Sequence, residues 1–241
     1  MLQSAFEFDG RARFGWFTPG PGEAAVIDGI EVVTPVQTHS LNVAEVVDPE
    51  MKFPDTDALV TRLPGVRIGI RTADCIPVLF YAPDIHAVAA AHAGWKGTLG
   101  GIVRNTVNKL VGMGADANRV EVRFGPGICT QCFEVGDGLA ASFRDAGFGD
   151  YVKKGDFIDR LDGTRFNREK WHIDLIGVNR RILMESGVQP ERIRCAGLCT
   201  RHDTFRNERG ETCRLPSWRR ESGTELRMVS WASISKKSFC N

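Results

Sequence analysis

Cys75 and His92 bracket two nearly continuous apolar runs, Ile76-Pro-Val-Leu-Phe-Tyr81 and Ile85-His-Ala-Val-Ala-Ala-Ala91. Between the runs, Pro83-Asp84 suits the centre of a tight turn. A hairpin centred there sets Cys75 opposite His92 at its open end, with Cβ atoms about 4.5–5.5 Å apart. Such a pair serves either as two ligands of one metal or as a thiol beside an imidazole base. Pro77 complicates the pairing, because a bulge there moves the register by one residue. The default for a cysteine between apolar strands is a packed core residue, and His92 after three alanines fits a satisfied core histidine equally well.

The flanking residues favour chemistry. Asp74 ends Thr72-Ala-Asp74 at the strand entrance, where it can serve as an acid or base or cap a turn with its carboxylate. After His92, Ala93-Gly-Trp-Lys-Gly97 leads into a helix. The helix N-terminus and Lys96 bring positive potential, which depresses a thiol pKa and attracts an anion such as phosphate. His39 closes the β-rich segment Ile30-Glu-Val-Val-Thr-Pro-Val-Gln37-Thr-His39, but its own spacing does not tie it to the other two. One thiolate and two imidazoles suit zinc with an open fourth position. They also suit the trigonal core of a copper site.

These residues need rigid elements around them. The two apolar runs read as central strands covered on both faces. Further strands are expected at 57–61, 66–71, 120–124, 192–198 and 228–234. Residues 11–29, with Thr18-Pro-Gly-Pro-Gly22, read as loop. One helix is expected from Thr98 to about Met113 and another from Trp171 to Ser186, the latter with Trp171, Leu175, Val178 and Ile182 on one stripe. No composition break marks a linker, so residues 1–241 read as a single mixed α/β domain.

Composition narrows the partners. The 241 residues are 42% hydrophobic and 25% charged with a formal net charge of +1. That profile suits a globular fold and provides no global field for nucleic acid or an anionic membrane. The N-terminus lacks the basic and apolar regions of a signal peptide, and no run approaches a membrane span. Seven cysteines, an odd count, in a chain without an export signal point to reduced thiols and a cytoplasmic location. Cys129-Thr-Gln-Cys132 is a C-x-x-C, and Cys195, Cys199 and Cys213 are available partners for a structural Cys₄ zinc. The C-x₃-C spacing of Cys195 and Cys199 favours plain loop and strand residues instead. His86 and His172 are expected to face solvent, His202 has no assigned role, and the charged stretch from Arg201 to Arg227 reads as a self-paired solvated loop.

Four segments then carry a family resemblance: Gln37-Thr-His-Ser40, Thr72-Ala-Asp-Cys-Ile-Pro-Val78, Ala91-His-Ala-Gly-Trp-Lys-Gly97, and Gly125-Pro-Gly-Ile128 with Phe133-Glu-Val-Gly136. In order and spacing they resemble the multicopper polyphenol oxidase (laccase-domain) family, whose members are now described as purine nucleoside phosphorylases. The resemblance runs from about residue 30 to the end. It implies that His39, Cys75 and His92 are metal ligands. It also implies a layered α/β/β/α fold with mixed sheets, similar to the catalytic domain of cytotoxic necrotizing factor toxins. The implied activity is zinc-dependent phosphorolysis of adenosine, inosine and methylthioadenosine, with adenosine deamination as a further activity. The partners are then a small-molecule nucleoside and phosphate.

This chain departs from the family pattern in two places. Phe17-Thr-Pro-Gly-Pro-Gly22 and a short link replace an N-terminal element that carries an arginine expected near the substrate. The Ser217-Trp-Arg-Arg220 element follows Cys199-Thr200 only after an insertion, and Arg219 is its candidate anion ligand. Rival functions are a copper-dependent polyphenol oxidase and a hydrolase, with Cys75 as nucleophile and His92 as base, of the kind linked to peptidoglycan precursor editing. Five histidines are too few for a mononuclear copper site plus a three-copper cluster.

Overall fold

Residues 76–82 and 87–93 are buried along their whole length, which requires a sheet covered on both faces. The computed structural model describes residues 2–8, 10–155, 158, 163, 165, 169–206 and 210–235. The first strands are β1 (Leu2–Phe8), β2 (Ala12–Phe17), β3 (Val26–Ile27), β4 (Ile30–Val33), β5 (Val43–Glu45) and β6 (Ala58–Thr61). Next come β7 (Arg67–Thr72), β8 (Ile76–Ala82), β9 (Ala87–Ala93), β10 (Glu121–Phe124), β11 (Glu134–Val135) and β12 (Val152–Lys154). The last are β13 (Trp171–Ile173), β14 (Ile193–Cys195), β15 (Thr204–Arg206), β16 (Thr212–Arg214) and β17 (Met228–Ile234). The α-helices are α1 (Trp95–Gly100), α2 (Ile102–Gly112), α3 (Asp137–Phe143), α4 (Leu175–Glu185) and α5 (Trp218–Glu221).

Two six-stranded sheets form the frame, in the orders β1-β2-β17-β7-β4-β3 and β14-β10-β8-β9-β6-β5. Both are mixed: β4/β7, β5/β6 and β10/β14 are parallel, and the other pairs are antiparallel. Their inner faces meet through Phe14, Ile68, Ile70 and Ala232 on one side and Leu59, Leu79, Tyr81, Val88 and Ala90 on the other. The opposite face of the second sheet presents Val78, Phe80, Ala87, Ala89 and Ala91 to Val103, Val107 and Leu110 of α2 and to Val178 and Ile182 of α4. The alanines leave room for α2 to lie close against β9. The outer face of the first sheet buries Phe17, Val229 and Trp231 in a cluster with no helical residue. The guanidinium groups of Arg13 and Arg67 lie 5.8 and 5.6 Å from the Trp231 ring centroid. Among the described residues the layering is therefore α/β/β, without the outer helical layer expected of α/β/β/α. No helix of the described chain is long and apolar enough to cross a membrane.

The β8/β9 register differs from the expected one. Pro77 pairs with His92 and Ala82 with Ala87, and residues 83–86 form the turn, closed by His86 at φ 50°. Two ties hold this longer turn: Asp84 Oδ1 accepts from the Ile85 amide (3.1 Å) and Asp84 Oδ2 from the Asp116 amide (2.6 Å). Cys75 consequently stands just before β8 rather than opposite His92. No bulge forms at Pro77. His92 turns its amide toward β6, bonding the Asp57 carbonyl at 2.8 Å, so the ladder loses nothing to the missing proline N–H on that side. On its other side β10 ends at Phe124, and the Gly125 amide reaches the Pro77 carbonyl at 2.9 Å.

Other boundaries shift for local reasons. The helix expected from Thr98 to Met113 is broken by Gly101 at φ 83°, which ends α1 and begins α2. Trp171–Ile173 is strand β13 between β11 and β12, with His172 buried rather than solvent-facing. The helix α4 starts only after Asp174, whose carboxylate accepts from the Gly177 amide at 2.9 Å. Part of the expected loop at 11–29 is strand, because β2 pairs with β17 from the far end of the chain.

Candidate active site and metal centre

The segment around His39 is held from both sides. Gln37 clamps β7: its Nε2 donates to the Arg71 carbonyl (2.9 Å) and its Oε1 accepts from the Arg71 amide (2.7 Å). Asp57 Oδ2 accepts from the amides of Thr38 (3.1 Å) and Ser40 (2.7 Å) and from the Ser40 hydroxyl (2.9 Å). Between those amides His39 takes the left-handed conformation, φ 62°. That conformation is uncommon for a residue with a Cβ and persists where surrounding bonds over-determine it.

Asp57 also fixes His92. Continuing the β6/β9 register one residue beyond Ala58↔Ala91 brings Asp57 beside His92, and its Oδ1 lies 2.6 Å from His92 Nδ1. With Nδ1–H donated to the carboxylate, Nε2 remains to face the site. Cys75 enters from the bend before β8, next to Asp74 at φ 85°. Opposite it, Gly94 leaves the space the centre needs: a Cβ there would lie 3.0 Å from both Cys75 Sγ and His39 Cδ2.

The structure thus brings His39, Cys75 and His92 together, with their ligand atoms all within 4.8 Å of one another. The His39 and His92 rings meet edge to face, centroids 4.8 Å apart. Burial alone raises the Cys75 pKa, but hydrogen bonds with His39 and His92 outweigh it and bring the thiol down to about 7. Burial alone lowers the His92 pKa, but hydrogen bonds with Asp57 and Cys75 carry it up to about 9. For Asp57, burial raises the pKa, while the bonds from His92, Thr38 and Ser40 hold it at about 2. Two imidazoles and a thiol poised to ionise fit a tetrahedral divalent cation with one position open to substrate.

The centre opens onto a cleft of about 640 Å³. Three arginines from separate elements line it: Arg71 in β7, Arg219 in α5 and Arg227 just before β17. Its aromatic walls are Trp95, Phe133 and Trp218. The Arg219 guanidinium lies 5.9 Å from the Phe133 ring centroid and donates to the Glu134 carbonyl at 2.9 Å. The Arg227 guanidinium lies 5.7 Å from that of Trp218. Burial lowers the Arg71 pKa, an effect Glu31 partly offsets.

Of the residues singled out in the sequence, Asp74 and Arg219 line the cleft with the three candidate ligands. Both oxygens of Asp74 are engaged: Oδ1 accepts from Thr200 Oγ1 (2.7 Å) and Oδ2 from the Arg219 amide (2.6 Å). Those bonds tie α5 and the Thr200 loop to the strand entrance. Lys96 is exposed on α1, its ammonium 5.5 Å from the Trp95 ring centroid, and is not among the residues lining the cleft. Sequence reasoning missed Asp57, Arg71 and Arg227. Asp57 had one available signal, an acidic residue placed directly before an apolar strand. The arginines had none beyond their charge.

A mixed α/β fold with a Cys/His cluster at the floor of a cationic, aromatic cleft defines the class. Residues 23–234 match the family described as multi-copper polyphenol oxidoreductase laccase, and the chain belongs to that family. It is 39% identical over 198 residues to a purine nucleoside phosphorylase of Deinococcus radiodurans, covering 82% of this chain and 67% of that one. It is 37% identical over 190 residues to adenosine deaminase RL5 from an unknown prokaryotic organism, covering 74% and 70% of the two chains. The fold matches that of the YfiH protein of Bacillus licheniformis with a TM-score of 0.74 at 22% identity, covering 93% of each chain. It also matches YlmD of Geobacillus stearothermophilus with a TM-score of 0.71 at 24% identity, covering 93% and 92%.

Proposed function

We propose that this chain is a zinc-dependent purine nucleoside phosphorylase for adenosine, inosine and methylthioadenosine, with adenosine deamination as a second activity. One observation carries the reading: a single cleft joins the His39, Cys75 and His92 donor set to three arginines and three aromatic rings. The activities named for its relatives support the same substrate class.

Zinc held by His39, Cys75 and His92 would supply a Lewis acid beside the bound nucleoside. The remaining work falls to the chain. Arg71, Arg219 and Arg227 hold phosphate and offset its charge inside a cleft where water screens poorly. Trp95, Phe133 and Trp218 offer faces on which a purine stacks. In phosphorolysis a phosphate oxygen forms the bond to ribose C1′ while the bond from C1′ to the purine nitrogen breaks. The base leaves with that electron pair and takes up the proton that the attacking hydrogen phosphate gives up, giving free base and ribose 1-phosphate. Orientation of the two substrates is the main contribution such a site makes.

Product chromatography after incubation with adenosine and phosphate, with and without a chelator, tests the proposal. Adenine and ribose 1-phosphate, lost on chelation and restored by zinc, are expected. Neither adenine nor inosine from folded, zinc-loaded protein sinks it. A second reading, a metal-independent hydrolase with Cys75 as nucleophile, draws on the thiol held near 7 between two imidazoles. It requires turnover that a chelator leaves intact and alkylation of Cys75 abolishes. The copper oxidase reading requires an intense blue absorption band on copper loading.

A further inference from the structure

Cys129 and Cys132 lie in the segment between β10 and β11, and Cys199 and His202 lie in the loop after β14. The fold closes these two segments onto each other. The Gly127 amide donates to the Leu198 carbonyl, and the Thr200 amide to the Gly127 carbonyl, both at 3.2 Å. The result is four side chains whose ligand atoms all lie within 4.8 Å of one another. His202 Nδ1 lies 3.2 Å from Cys132 Sγ and 3.9 Å from Cys129 Sγ. In a tetrahedral site with zinc–sulfur bonds of about 2.3 Å and zinc–nitrogen bonds of about 2.0–2.1 Å, a sulfur and a nitrogen stand about 3.5 Å apart. The two observed distances bracket that value.

From this geometry we infer a second metal site, a closed Cys₃His centre for zinc formed by Cys129, Cys132, Cys199 and His202. Three observations support it beyond the donor count. Cys132 and Cys199 are 2% and 3% exposed, and the His202 side chain is 4% exposed, so three of the four donors are withdrawn from water, with Cys129 half-buried beside them. The outer ring nitrogen is oriented: His202 Nε2 lies 3.3 Å from Asp203 Oδ1, while Asp203 Oδ2 accepts from the Cys199 amide at 2.7 Å. A carboxylate behind a histidine fixes the ring so that its other nitrogen faces the metal. Finally, the Cys129 amide points at Cys199 Sγ (3.3 Å) and Arg201 Nη1 at Cys132 Sγ (3.9 Å), placing donors where thiolate charge would develop. Four protein ligands leave no open position, so the site is structural rather than catalytic. Cys195 and Cys213, the other partners weighed from the sequence, stand outside it.

Its consequence reaches the cleft. Ile128 and Phe133, which line the cleft, flank the Cys129–Cys132 segment. Thr200, between Cys199 and His202, donates to Asp74 beside Cys75. The second metal therefore pins the wall that faces the first one.

Metal content of the purified chain and its His39→Ala/His92→Ala variant tests this directly. Two zinc equivalents are expected in the unmodified chain and one in the double variant. Cobalt in the double variant is expected to show the sulfur-to-cobalt absorption of three thiolates. A folded double variant that binds neither zinc nor cobalt overturns the inference. Alkylation mapping of the unmodified chain gives a readout that needs no folded cysteine variant. Cys129, Cys132 and Cys199 should be shielded until a chelator is added, whereas Cys195 and Cys213 label in both conditions. Equal labelling of all five with and without chelator overturns the site. Cys132→Ser should drop one zinc equivalent and lower Tm by about 10 °C or more.

Discussion

Asp57 divides its carboxylate between the His92 imidazole and the backbone that carries His39. Oδ1 holds His92 Nδ1, and Oδ2 holds the amides on either side of His39. Asp57→Asn keeps the shape but removes the charge, and it should weaken zinc affinity by about 10–100-fold, measured by competition with a chromophoric chelator. In the metal-free chain the folded-state pKa of about 2 lies below the unfolded value of about 3.9. The stability Asp57 contributes is therefore present above about pH 4 and lost as pH falls toward 2; it is on the order of 2–3 kcal/mol. Acid unfolding of the metal-free wild type against Asp57→Asn should show that difference disappear at low pH. Metal uptake has its own proton signature. Below pH 7 zinc must displace protons from both the Cys75 thiol and the His92 imidazolium, and between about 7 and about 9 only that of His92. Affinity should accordingly rise with pH and flatten above 9, with proton release read by calorimetry in buffers of different ionisation heat.

At the scale of elements, the β9–α1 junction decides whether the donors can approach. Gly94 sits where β9 ends and α1 begins, and a methyl group there meets Cys75 Sγ and His39 Cδ2 at 3.0 Å. Gly94→Ala should reduce zinc affinity by at least about tenfold, or about 1.4 kcal/mol, while far-ultraviolet circular dichroism stays unchanged. Unchanged zinc affinity would mean the donors can draw apart without loss. The junction also explains the misplaced pairing. Cys75 and His92 do converge, but across Gly94 and a bend rather than as a cross-strand pair. A short turn places them opposite, and the left-handed His86 makes the turn longer. The partner that does follow strand register is Asp57, the residue just before β6, which a hairpin argument confined to β8 and β9 never considers.

Across the whole molecule, Arg71 comes from β7 and Arg219 and Arg227 from a stretch near the C-terminal end of the described chain, and the two stretches meet only in the folded cleft. If they bind phosphate, Arg227→Ala should raise the KM for phosphate about tenfold or more while kcat changes less and zinc content is retained. A loss of zinc instead would place Arg227 in the fold rather than in phosphate binding.

Central strands β8, β9 and β17, the mixed α/β class and the chemical suspicion attached to Cys75 and His92 were all legible in the sequence. Each rests on local information: apolar runs, turn residues and donor types a few positions apart. The family resemblance added His39, which no local spacing connects to the others. Only the tertiary structure decided the rest. The β8/β9 register depends on how Asp84 and His86 close a turn, and the strand status of residues 12–17 depends on a partner at the other end of the chain. Asp57 behind His92 and the His39 backbone, three arginines in one cleft, and His202 beside three cysteines are contacts between segments far apart in sequence. No periodicity encodes such contacts, because they arise when sheets and loops are packed against one another.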